Sequence, residues 1–196
     1  MIKHQIIHDT RAKGTAASSL SAGFTLCVDE NSSADYIFNW LKVKKLIGGK
    51  IETLSIIAHG RSMIVGGKKR GGFGVSLGRD GLDSDNVGDW EKIKGICKYI
   101  VFNSCAMADT TGTDITTDGK FLCATLAYYT NSIIIASDTI QQYEWYNDGS
   151  PLDLGAWEGT VYYFRPDGKY GILLGPRKKL KSMAGSYEAV KGVKFY

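Results

Sequence analysis

Leu54-Ser55-Ile56-Ile57-Ala58-His59-Gly60 and Tyr99-Ile100-Val101-Phe102-Asn103-Ser104-Cys105 are the two stretches on which the fold turns. Each is a continuous apolar run that stops at a short polar loop. A strand with one wet face alternates apolar and polar residues. A run without alternation suits a strand covered on both faces, as in a parallel sheet. Ser132-Ile133-Ile134-Ile135-Ala136 repeats the pattern and ends at Ser137-Asp138, and Phe24-Thr25-Leu26-Cys27-Val28 is a shorter strand of β-formers.

Helical signals lie between these runs. Ser32 is read as an N-cap, with Asp35 three residues on like a weakened capping box. Tyr36, Ile37, Trp40 and Leu41 then fall on one face, opposite Lys42, Lys44 and Lys45, and Gly48-Gly49 ends the helix. Asn86 is expected to cap a helix from Val87 to about Lys94, and Asp118 a third helix carrying Leu122, Leu126 and Tyr129. The glycine-rich stretch from Gly66 to Gly74, with Lys68, Lys69 and Arg70, reads as a hairpin or loop. It lacks the phosphate-binding patterns GxxxxGK[ST] and GxGxxG. Gly159 to Phe164, Pro166-Asp167-Gly168 and Tyr170 to Leu174 give a strong antiparallel hairpin signal. Strands alternating with helices imply an α/β fold: a mostly parallel sheet flanked by helices on both faces, with a C-terminal β-hairpin.

The expected organisation is one domain over 1–196, with a polar, flexible arm or edge hairpin over 1–22 and the hairpin and basic tail over 157–196. Hydrophobic residues are 43% and charged residues 22%, which excludes global disorder. Apolar runs such as 133–136 fall far short of the roughly 20 residues a membrane span needs. The first residues carry no long apolar segment, so no cleaved secretory signal is expected. Four scattered cysteines without a CxxC pair argue against a disulfide scaffold and against structural zinc.

The net charge of +4 is uneven. Residues 165–196 hold eight Lys and Arg against Asp167 and Glu188, so this segment carries +6 and the remainder −2. Arg177, Lys178, Lys179 and Lys181 form its densest part, a candidate contact for a polyanion or an acidic partner. The bland reading is a solvated surface. No nucleic-acid-binding module is recognisable, and nucleic acid is not an expected partner.

Reactive groups of open α/β sheets gather where strands end at their carboxyl side. Two such ends carry His59 and Cys105. A histidine there can act as general base, and a cysteine as nucleophile if positive charge or backbone dipoles favour its thiolate. Cys105 read as a small buried residue, and His59 as a satisfied core histidine, are the structural alternatives. His4 and His8 sit in the polar arm and are read as uninvolved. Cys27, Cys97 and Cys123 are read as structural.

Ile56-Ile57-Ala58-His59-Gly60 resembles the strand-then-His-Gly motif of caspase-like (clan CD) cysteine peptidases, and Ile100 to Cys105 resembles their strand ending in the catalytic cysteine. The order, His before Cys, also matches. The resemblance spans residues 24–138, and weaker likenesses at Ser137-Asp138, Trp157-Glu158-Gly159 and Phe164 to Gly168 point toward self-processing protease domains of bacterial toxins. It departs from caspases in having Asn103-Ser104 before the cysteine.

The resemblance implies a cysteine endopeptidase with His59 and Cys105 catalytic. The Gly60 and Cys105 N–H groups would form the oxyanion hole, Asp29 would orient the histidine, and Asp138 would sit in an S1 pocket favouring a basic residue. It implies no required cofactor, although toxin domains of this type are switched on by an inositol polyphosphate. The substrate would be a protein or peptide. The setting would be cytoplasmic, or a bacterial effector delivered to a target cell by a signal-independent route. The alternative is an inactive caspase-like module that binds a protein or polyanion through its basic C-terminal segment.

Overall fold

Strand β1 (Ile2–Asp9) is in the interior of the sheet, hydrogen-bonded on one side to β2 (Thr25–Val28) and on the other to β3 (Ile51–Ile57), both parallel. The expectation of a flexible arm over 1–22 is therefore corrected for its first half. The computed structural model of the chain describes residues 1–12, 25–110, 118–140 and 157–175. Polar residues made β1 look like a solvated segment, yet His4, Gln5, His8 and Asp9 are all buried and find partners there.

Along the chain follow α1 (Ala34–Gly48, between β2 and β3) and, after β3, four short strands: β4 (His59–Gly60), β5 (Met63–Val65), β6 (Lys68–Arg70) and β7 (Val75–Ser76). Then come a 3₁₀ helix (Val87–Ile93), β8 (Cys97–Asn103), α2 (Gly119–Thr130), β9 (Ile133–Ser137), β10 (Val161–Phe164) and β11 (Tyr170–Leu174). The main sheet has seven strands in the order β11-β10-β9-β8-β3-β1-β2. It is parallel from β2 to β9, and β10 and β11 add the expected antiparallel hairpin at one edge. The fold is thus α/β with a mostly parallel central sheet. No helix among the described residues is long and apolar enough to cross a membrane.

Ser33, one residue past the expected cap, starts α1 by accepting a hydrogen bond from the Tyr36 N–H at 3.2 Å, while the Ser32 hydroxyl goes to Asp29. Asp118 caps α2 as expected, accepting from the Lys120 and Phe121 N–H groups. Asn86 makes no side-chain cap, and its amide instead serves Asp83 and the Asp80 carbonyl. Residues 87–93 then wind as a tighter 3₁₀ helix rather than as the expected α-helix.

The sequence expects helices on both faces. The described helices all bury side chains in one core with Ile7, Ile56, Phe102 and Ile134, among them Phe38, Trp90 and Leu126. Full burial of each such side chain stabilises by roughly 2 kcal/mol. Phe38 and Trp90 meet edge to face, with ring centroids 5.4 Å apart. The shared face has a topological cause. The crossovers from β2 to β3, β3 to β8 and β8 to β9 all step in one direction across the sheet. Right-handed crossovers stepping one way place their helices on one side. The step from β1 to β2 goes the other way, and most of that connection lies outside the described residues. The opposite face carries a smaller cluster of Tyr99, Val101, Ile135, Trp157 and Val161.

Candidate functional site

Parallel pairing of β3 with β8 sets Ile57 beside Asn103. Two residues further along each chain stand His59 and Cys105, so both leave the sheet at the same carboxyl rim. Their loops touch. A methyl group added to Gly60 would collide with the Cys105 carbonyl, which is why glycine is required there. Gly60→Ala is expected to cost about 1–3 kcal/mol of stability, as overpacking does, and to slow Cys105 alkylation by separating the two loops. An unchanged urea midpoint would refute the contact.

The loop bearing Cys105 is held from both sides. The Ala106 N–H donates to the Thr139 carbonyl at 2.8 Å, and the Ala108 N–H to Ser137 at 2.9 Å. The Gly72 N–H donates to the Ala106 carbonyl at 2.9 Å, and the Gly71 N–H to Asp109 Oδ2 at 2.9 Å. Ala106 itself has φ of 47°, a left-handed conformation that costs an alanine about 1 kcal/mol or more. The glycine-rich hairpin therefore acts as a clamp on the cysteine turn. Cys105 is half-buried and forms no disulfide.

His59 is exposed, and its ring donates from Nε2 to the Arg11 carbonyl at 2.8 Å. A carbonyl only accepts, so this bond assigns the proton of the neutral ring to Nε2 and leaves the lone pair on Nδ1. The supporting carbonyl is itself fixed. Asp9 is fully buried and accepts from Arg11 Nε at 2.8 Å, Arg11 Nη2 at 2.6 Å, the Arg11 N–H at 3.1 Å and the Gly78 N–H at 2.8 Å. Arg11 Nη2 also donates to the Gly78 carbonyl at 2.7 Å. The Asp9 hydrogen bond raises the Arg11 pKa further above its ordinary value.

This support replaces the expected one. Asp29 accepts from the Asn31 N–H and the Ser32 hydroxyl, each at 3.0 Å, which holds its carboxyl below the usual range. Its carboxylate serves its own turn, and the partner of His59 Nε2 is Arg11. Local sequence carries no signal for this, because a backbone carbonyl has no residue type. Asp138 Oδ1 accepts from the Thr160 N–H at 2.9 Å and the Thr139 hydroxyl at 2.8 Å, and Gly159 packs against it. It is next to the residue that holds the cysteine turn, half-buried, with Oδ1 used to tie down the segment before β10. Arg177, Lys178, Lys179 and Lys181 lie outside the described residues.

Burial pushes Cys97 up to about 12, and pushes Cys123 up as well. Cys27, expected in the core, points outward on the edge strand β2, where Leu26 and Val28 take the inner positions. His4 and His8, expected in a solvated arm, are buried. His4 Nε2 and Ser55 Oγ are hydrogen-bonded at 2.8 Å, and His8 Nε2–H donates to the Ala12 carbonyl at 2.9 Å.

A cleft of about 590 Å³ opens one residue beyond Gly60. Met63, Val65 and Phe73 form apolar walls, and Arg61 is ion-paired with Asp83 at its side. An apolar recess of this kind can receive a side chain of an extended peptide.

No protein-family model matches the chain, and no curated protein or solved structure matches it.

Proposed function

We propose that the chain is a cysteine endopeptidase of caspase-like type, with Cys105 as nucleophile and His59 as its proton-transfer partner. The observation that carries this reading is the β3–β8 register. It sets His59 and Cys105 at one rim with Gly60 against the Cys105 carbonyl. The Arg11 hydrogen bond supports it by leaving Nδ1 of the neutral ring to accept a proton from the thiol. The thiolate attacks a peptide carbonyl, and backbone N–H groups of Gly60 and Cys105 are the candidates to stabilise the oxyanion. The imidazolium then protonates the leaving amine. The resulting thioester is hydrolysed by water, which returns the proton to His59.

The inactive-module alternative expects a Cys105 sealed in the core, and its partial exposure favours the enzyme. A delivered effector or a self-processing domain is the setting proposed for such an activity. An inositol polyphosphate bound by the basic segment around residues 177–181 is the proposed activator.

The test is iodoacetamide labelling of the folded chain near pH 6.5, mapped by peptide. An ordinary thiol with a pKa of about 8.5 is about 1% thiolate there. Cys105 is expected to label at least about tenfold faster than the exposed Cys27, and to lose that advantage in His59→Ala. Cys105 labelling no faster than Cys27, both without and with added inositol polyphosphate, would overturn the dyad.

A further inference from the structure

Helix α1 has two apolar faces where a surface helix needs one. Ile37, Phe38 and Leu41 face the core. Tyr36, Trp40, Val43 and Ile47 follow at i, i+4, i+7 and i+11, a second stripe in which Trp40 still packs on the edge of that core while Tyr36, Val43 and Ile47 are exposed. Trp40 is half-buried, but Tyr36 is 52% exposed, Val43 51%, Ile47 80% and the neighbouring Leu46 86%. Single exposed apolar residues are ordinary; several contiguous ones at the end of a helix mark a contact surface.

The charges that the helix itself carries near this patch have one sign. Lys42, Lys44 and Lys45 lie on the same helix and Lys50 just beyond it, and Lys44 Nζ sits 5.1 Å above the Trp40 ring. Among the ion pairs of the described residues none involves Lys42, Lys45 or Lys50. The one acid of the helix, Asp35, is at its far end and is bonded to Lys92.

We propose that the C-terminal end of α1 docks the protein on an anionic lipid bilayer. Leu46, Ile47 and Val43 enter the boundary between head groups and acyl chains, and the surrounding lysines meet the head-group charge. A second copy of the chain would set lysine against lysine. A partner helix would cover the stripe along its length, whereas exposure climbs toward Leu46 and Ile47, which project as a tip. The tip lies at the amino-terminal rim of the sheet, since Gly48 packs on Ile2, and Ile2 pairs with Ile51 at the start of β3. His59 and Cys105 are at the opposite rim, so a docked molecule turns them toward water. The inference is independent of what those two residues do.

The test is sedimentation of the full chain with vesicles of phosphatidylcholine alone, and of equal parts phosphatidylcholine and phosphatidylserine. Binding is expected only to the anionic vesicles, with about a fivefold loss of affinity for each lysine removed from the patch, as in Lys42→Gln. The double variant Leu46→Asp, Ile47→Asp is expected to lose about a hundredfold. Leu46→Gln with Ile47→Gln provides a milder second variant. Both should keep the wild-type circular dichroism spectrum and Cys105 alkylation rate. Absence of binding to anionic vesicles overturns the proposal. So does binding that survives both double variants, which assigns it to the basic segment near 177–181. A concentration-dependent dimer that the variants abolish gives the face to a second copy, and also overturns it.

Discussion

Cys105→Ala is expected to reduce peptide turnover by a factor on the order of 10⁴ or more, the scale seen when a covalent nucleophile is removed. Stability should hardly change. The side chain is half-buried, and its turn is held by backbone bonds from Ala106 and Ala108 that alanine leaves intact. A chain of this length moves its melting temperature by roughly 2–4 °C per kcal/mol, so a shift within that range is the outer limit expected. Cys123→Ala is the matched control. That thiol is fully buried in α2, and burial pushes its pKa up, so it is a packing group. Its replacement should lower stability by about 1 kcal/mol and leave turnover in place. Retained activity in Cys105→Ala, or its loss in a folded Cys123→Ala, would remove Cys105 from the mechanism.

Acid should destabilise the fold in a window set by His4. Its pKa falls to about 4 because burial penalises the charged ring. In the unfolded chain the same ring titrates near its ordinary value of about 6.5. Between those two values the unfolded chain takes up a proton that the folded one refuses. Stability is therefore complete above about pH 6.5, declines as the pH falls, and levels off below about 4. The full loss is about 3 kcal/mol, a large share of a typical domain's stability. Urea midpoints measured from pH 7.5 to 4.5 check it. His4→Gln keeps a group able to hydrogen-bond Ser55 but cannot titrate, and its midpoint should fall far less over this range. Parallel curves for the two proteins would mean that another group drives the acid response.

The sheet core and the rim positions of His59 and Cys105 were legible because each rests on a continuous apolar run. Ser55 to Ala58 and Ile100 to Phe102 needed no distant information to read as buried strands, and the residues that end them inherit a place at the rim. β1 was not legible. Its His4, Gln5, His8 and Asp9 read as solvent-facing, and their burial depends on Ser55 and Gly78, which lie 51 and 69 residues away. Local patterning has no access to such partners. The assignment of Asp29 to His59, which the family resemblance implies, fails for the same reason. A carboxylate at a strand end looks available, and only the folded turn gives it to Asn31 and Ser32. Residues 87–93 carry a helical pattern, but the cap that would have set α geometry is spent on a neighbouring turn.

The carbonyl that holds His59 comes from residue 11 and the loop packed against its own from residue 105, so the rim they share has a birth date within synthesis. Pairings this distant along the chain form late, since loop closure precedes any reward from contact. A nascent chain still on the ribosome does not bring the His59 and Cys105 loops together until β8 has emerged and paired with β3. A molecule in which β1 has slipped from the sheet loses the Arg11 carbonyl and, with it, the fixed tautomer of His59. On the proposed mechanism, reactivity at Cys105 would be tied to completion of the sheet, and neighbouring proteins would be spared a working thiol from chains that are half-made or half-unfolded.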